Sequence, residues 1–275
     1  MKSTEGRLRI KAAKTRSLPL LVAIASRGAT RMPKRARGTE ARSIATEQPA
    51  WYEALYSGAM SDEYKAYMRD EWGHEKRGDR ALFEKLSLEG AQAGLSWATI
   101  LSKREGYRAA FHNFDIAKVA RMTATDVDCL ISADAARIVR HRGKIESVIH
   151  NARCVQELIT DASRTHTGPV PPHGHFDAFL WSFVGGKPIL NGWEDASAIP
   201  SESAVADQLS AALKARGFKF VGPKICYSLL QSCGLVIDHP KGTPEFNAAK
   251  ARLADRALRA SAPGDGGTRR PRKNT

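Results

Sequence analysis

From about residue 49 to about residue 258, apolar residues recur at helical intervals almost without interruption, which restricts this chain to packed helices. Val205, Leu209 and Leu213 form an i, i+4, i+8 stripe after Pro200-Ser201, and Gly217 ends it. Ile145, Val148, Ile149, Ala152 and Val155 mark a second apolar face, behind the basic run Arg140-His141-Arg142-Gly143-Lys144. A third helical stretch, with room for one break, covers about Arg80 to Leu101, and Leu82, Phe83, Leu86 and Leu95 are its expected inward side. Little strand alternation remains. The proline and glycine break Gly168-Pro-Val-Pro-Pro-His-Gly-His175 divides the helices into two lobes. The expected fold is all-α, two helical lobes around a pocket.

Charge separates this region from its flanks. The chain carries a net +14, but residues 1–49 hold twelve Lys and Arg against three acids, and residues 262–275 hold four against one. Most of the excess therefore lies in the tails. Residues 1–48 and 259–275 read as basic, disordered extensions around a domain at 49–258, and such tails raise salt-sensitive affinity for nucleic acid without specifying a site. Any specific binding must come from a local patch in the domain. Cys129, Cys154, Cys226 and Cys233 form no Cys-x-x-Cys pair and no disulfide framework, which fits a reducing, cytoplasmic setting. No apolar run reaches the length of a membrane span, and Leu18–Ala25, interrupted by Pro19, imitates a signal peptide only faintly.

Two segments carry chemistry. In Ser87-Leu-Glu-Gly-Ala-Gln-Ala-Gly-Leu-Ser-Trp97, continuous helical spacing brings Trp97 within about a quarter turn of Glu89, with a low surface of Gly and Ala between them. A carboxylate beside an indole suits a flat ligand that is cationic or rich in donors. Tyr67 and Trp72, just upstream, offer more aromatic surface. In the second segment, Gly217-Phe-Lys-Phe-Val-Gly-Pro-Lys224, Gly222 permits a turn and Pro223 suits the first position of a new helix. The free amides of that helix start, flanked by Lys219 and Lys224, could hold a DNA phosphate without reading sequence.

These residues resemble the DNA-3-methyladenine glycosylase I family of the helix-hairpin-helix superfamily. The likeness runs from about Tyr64 to His239. It includes Asp70-Glu71-Trp72-Gly73, Leu88-Glu89-Gly90, Gln92-Ala93-Gly94-Leu95-Ser96-Trp97, Lys103-Arg104-Glu105, Arg140 to Ile145, Phe179-Leu180-Trp181-Ser182-Phe183 and Gly217 to Gly222. It implies an α-helical enzyme that hydrolyses the N-glycosidic bond of 3-methyladenine in DNA. No Lys is recognisable by motif as a Schiff-base nucleophile and one-nucleotide chemistry needs only a monomer, so a monofunctional monomer without cofactor, acting on double-stranded DNA, is expected. By the resemblance Glu89 is the base-recognising, catalytic carboxylate, Tyr67 its partner, Trp97 the stacking ring and Trp72 a further pocket wall. Lys219, Gly222 and Lys224 are the expected contacts to the DNA backbone.

The resemblance also implies a zinc held by two Cys and two His, and here the chain departs from it. His239 occupies one ligand position, but Met68 and Thr243 stand at two others and no Cys precedes Tyr64, so no structural zinc is expected. The stretch Ala133-Asp134-Ala135-Ala136-Arg137 is longer than the family pattern. Asp238 is available for a catalytic role or a structural bond, and no chemistry is expected of His173 or His175. The alternative function is a non-catalytic binder of damaged DNA on the same fold.

Overall fold

The computed structural model describes residues 61–133, 136–165, 168–194 and 196–261. Ser61 accepts from the Tyr64 amide at 3.2 Å and opens helix α1 (Asp62–Asp70), whose inner stripe is Tyr64, Tyr67 and Met68. After a turn through Gly73 and Gly78 comes α2 (Asp79–Gln92), buried on nearly every side from Leu82 to Ala91. A helix surrounded by others has no polar face to offer, and α2 buries even Lys85 and Glu89. Short helices α3 (Trp97–Leu101), α4 (Arg104–Ala110), α5 (Ile116–Ala120) and α6 (Ala124–Ser132) follow, the last opened by a reciprocal Thr123–Asp126 capping box.

The long α7 (Arg142–Thr165) packs on α5 and α2, and α8 (His175–Ser182) lies against both α7 and α2. Helices α9 (Ala204–Ala215) and α10 (Pro223–Ser232) pack on each other, and α10 also packs on α2. Helix α11 (Pro244–Ser261) runs through the domain boundary expected at 258. The basic extension at 1–48 lies outside the described residues. Strand structure among the described residues is one parallel pairing, β1 (Ile189–Leu190) with β2 (Val236–Ile237). The all-α expectation holds.

The continuous helix expected between Glu89 and Trp97 does not form. Helix α2 stops at Gln92, Ala93 turns to φ −46°, ψ 115°, Gly94 adopts φ +77°, and Ser96 restarts the chain by capping Thr99 at 3.2 Å. Gly94 supplies the left-handed position at which a helix ends, and a side chain far along the sequence caps that end. Lys144 on α7 donates to the carbonyls of Ala91 at 2.8 Å and Ala93 at 2.7 Å, meeting the acceptors that a helix C-terminus leaves open. Leu95, expected to pack inward, sits on this break and is 38% exposed. The Pro-rich break also lies away from this region, since the His173 carbonyl accepts from Asp79 at the opposite end of α2.

The α9–α10 connection is the expected hairpin. Gly217 adopts φ +83°, Phe220 is held at φ +55°, and Pro223 begins α10 behind Gly222. Asn151 on α7 clamps its middle, accepting from the Lys219 amide at 2.8 Å and donating to the Lys219 carbonyl at 2.9 Å. Phe220 seats the hairpin on α2 at Gly90, where an added Cβ would come within 3.3 Å of the Phe220 Cβ.

Candidate active site

A cleft of about 390 Å³ opens where α1, the α2–α3 break and the start of α10 converge. Tyr67, Trp72, Glu89 and Trp97 line it from one side, and Gly222, Pro223 and Lys224 from the other, with Ser201 and Glu202 at the edge. The structure therefore gathers Glu89, Tyr67, Trp97, Trp72, Gly222 and Lys224 in one place. Lys219 is exposed on the hairpin and does not line the cleft.

Glu89 is 4% exposed. Burial pushes its carboxyl up to about 7, against the opposing pull of the Lys85 ammonium and a hydrogen bond with the Ser232 hydroxyl. That hydroxyl also lies 3.3 Å from the Leu229 carbonyl, so its one proton is shared between two acceptors. The rings of Tyr67 and Trp97 stand 5.2 Å apart at 42°, a tilted aromatic wall beside the carboxylate. The Trp97 indole N–H is buried with no hydrogen-bond partner among the described residues. Trp72 turns its edge to His239 at 4.8 Å and 81°.

Asp238 is fully buried behind α10. It accepts from Asn191 and Trp193 at 2.7 Å each, from the Tyr227 hydroxyl at 2.6 Å and from Gln231 at 2.8 Å. Four donors occupy the carboxylate, so Asp238 holds Tyr227 and Gln231, both cleft residues, in place and has no lone pair left for a reacting group. The stated structural alternative describes what it does.

A family model described as methyladenine glycosylase matches residues 57–246. The chain belongs to that family. It is 47% identical over 179 residues to DNA-3-methyladenine glycosylase 1 of Escherichia coli (strain K12), covering 65% of this chain and 89% of that one. It is 42% identical over 181 residues to DNA-3-methyladenine glycosylase of Haemophilus influenzae, covering 66% and 91%. The solved 3-methyladenine DNA glycosylase I of Staphylococcus aureus, described for its recognition of 3-methyladenine, superposes with a TM-score of 0.62 at 38% identity, covering 69% and 94%.

In this methyladenine glycosylase family member the residues at the zinc positions do not fit the metal. Met68 is buried in the core. The Thr243 hydroxyl is already used, donating to the Pro240 carbonyl at 2.8 Å and accepting from the Phe246 amide at 3.1 Å. His239 alone offers a donor atom, a buried Nε2 with no partner among the described residues. Burial, with His74 nearby, pushes its imidazole down to about 4. A single imidazole is not a zinc site. Near the end of the described residues, Arg256 on α11 donates to both Glu75 oxygens at 2.9 Å.

Three residues that shape the site escaped the sequence reading. Lys85 had a usable signal, because it stands one turn before Glu89 at i, i+4. Lys144 stood out only as part of the basic run Arg140–Lys144 and Asn151 not at all, because their partners are more than fifty positions away.

Proposed function

We propose that this chain hydrolyses the N-glycosidic bond of 3-methyladenine in alkylated DNA and leaves an abasic site. The observation that carries the reading is the buried Glu89 carboxylate beside the Tyr67–Trp97 wall, in a cleft whose opposite rim is a helix start with a lysine. A 3-methylated adenine nucleoside is cationic, so its base departs readily once the glycosidic bond lengthens. Little acid catalysis is needed, and recognition does much of the work. Extruding the nucleotide costs a few kcal/mol, while stacking returns roughly 1–3 kcal/mol per base and cation–π attraction adds to it.

In this reading Glu89 accepts from the exocyclic amine of the extruded base and disfavours bases that present a carbonyl there. Trp97 and Tyr67 supply the stacking wall. The Gly222–Lys224 helix start grips a phosphate. Water is the nucleophile. Among the described residues Lys224 is the one lysine lining the cleft, and it is ion-paired at 3.8 Å with Glu202, which argues against a Schiff-base step.

Duplex substrate, monomeric action and a cytoplasmic setting belong to the same proposal. The gathered cleft residues all come from one chain, and no helix among the described residues is long and apolar enough to cross a membrane. A non-catalytic damage binder is not favoured, because the relatives are named as enzymes and the pocket carboxylate and rings are present. The test is release of free 3-methyladenine from methylated duplex DNA by wild type and by folded Glu89→Gln. Release by the wild type with a large loss in the variant supports the reading. Tight DNA binding without release from wild type overturns it.

A further inference from the structure

An ammonium is costly to bury, so a lysine held at 1% exposure must be matched by partners. Lys85 Nζ lies 3.4 Å from the Tyr67 hydroxyl and 3.8 Å from the Glu71 carboxylate. It also stands 4.4 Å from the ring centre of Tyr67 and 5.3 Å from that of Trp97. Glu71 is itself gripped by Arg104 at 2.5 and 2.9 Å, which anchors the group. Lys85 does not line the cleft. It is therefore a cation behind the aromatic wall, out of reach of a substrate.

Its chemistry acts through the wall. An ammonium has three protons and no lone pair, so in the Lys85–Tyr67 contact the phenol oxygen must accept. The proton of the Tyr67 hydroxyl then has to point elsewhere, and Tyr67 faces the cleft. We propose that Lys85 is a positioning residue for base recognition, fixing the Tyr67 hydroxyl as a donor into the cleft. Beside the accepting Glu89 carboxylate, the site then offers one acceptor and one donor. That pair matches a base edge carrying an amino group next to an unprotonated ring nitrogen. The inference rests on the glycosylase reading above.

The test is kcat and KM for 3-methyladenine release from methylated duplex DNA, for wild type, Lys85→Met, Lys85→Arg, Tyr67→Phe and the Lys85→Met/Tyr67→Phe double variant. Lys85→Met and Tyr67→Phe are each expected to lose about tenfold in kcat, with KM within about twofold. The double variant should be no worse than Tyr67→Phe, because both changes remove the same directed proton. Lys85→Arg, also donor-only, should recover most of the loss. Losses that multiply in the double variant, or an undiminished kcat in Lys85→Met, overturn the proposal.

A wild type that releases no base overturns the functional reading and this inference with it. An active wild type confines any failure to Lys85. If Lys85→Met does not fold, the test passes to 15N-lysine-labelled wild type. The Lys85 ammonium signal should move on saturation with free 3-methyladenine, and should not move in Tyr67→Phe. A signal indifferent to the base in wild type overturns the proposal.

Discussion

The Lys144 ammonium sits 2.7 Å from the Ala93 carbonyl and 2.8 Å from that of Ala91, so a side chain on α7 caps the end of α2 where the chain turns toward Trp97. Without that cap the carbonyls would be left open in a largely buried corner, and a straight helix would carry Trp97 away from its present place beside Tyr67. The pocket's aromatic wall thus depends on a residue outside it. Lys144→Met is expected to lose about 2 kcal/mol of stability by urea denaturation and about tenfold in base release. Unchanged stability and release would show that the break forms without it.

Glu89 should set both the pH profile of the enzyme and part of its stability. With its carboxyl pushed up to about 7, the accepting carboxylate is present above that pH, so kcat/KM should rise through about pH 7 and level off. Glu89→Gln should be slow and flat with pH, and a profile falling across the same range in the wild type would contradict the assignment.

The same shift acts on folding with the opposite sign. The folded chain binds this proton more tightly than the unfolded one, so the contribution is complete below the ordinary 4.5 and is lost as pH rises to about 7. Glu89→Gln is therefore expected to exceed wild type in stability at pH 8 by roughly 1–3 kcal/mol and to match it near pH 4. Denaturant unfolding at the two pH values checks this.

Metal removal should leave the fold alone. Excess EDTA is expected to shift Tm by less than about 1 °C, because no group of three or more His, Cys, Asp or Glu is placed to hold a metal among the described residues. Acid acts instead. His239 titrates at about 4 instead of 6.5, so its contribution to stability is full above 6.5 and is lost as pH falls toward 4. Over much of that range Glu89 acts in the opposite direction, so the loss is best read from melting curves in the Glu89→Gln background. A drop of several degrees on chelation would refute the metal-free assignment.

Glu202 restrains the cation at the cleft rim, 3.8 Å from Lys224. Both side chains are about half exposed, so the pair contributes little to stability, but it competes with a phosphate for Lys224. Glu202→Gln is expected to bind undamaged duplex DNA about two- to fivefold more tightly at low salt, with the gap closing as salt rises. Equal affinities at every salt concentration would separate Lys224 from the backbone contact.

Much of this architecture was legible along the chain. Helical stripes such as Val205–Leu209–Leu213 define a buried face by spacing alone, and Gly217, Gly222 and Pro223 impose a hairpin through their own backbone preferences. The words around Glu89, Tyr67 and Trp97 marked the pocket because their side-chain chemistry is written locally. The inward place expected for Leu95 fails because the one break in this stretch falls at Ala93-Gly94: apolar spacing continues across it, and Gly94 and Ser96 are the local signs of the stop and restart.

Local residue types and intervals therefore pointed to a helical domain with a carboxylate, aromatic rings and a hairpin. Packing between distant segments settled how they meet. Lys144 caps α2, Asn151 holds the hairpin by the backbone of Lys219, and Asp238 fixes α10 through Tyr227 and Gln231. The division has a physical cause. Backbone propensity and apolar periodicity act over a few residues, whereas buried hydrogen bonds and ion pairs must be satisfied by whatever group the fold brings within about 3 Å, however far away it lies in sequence.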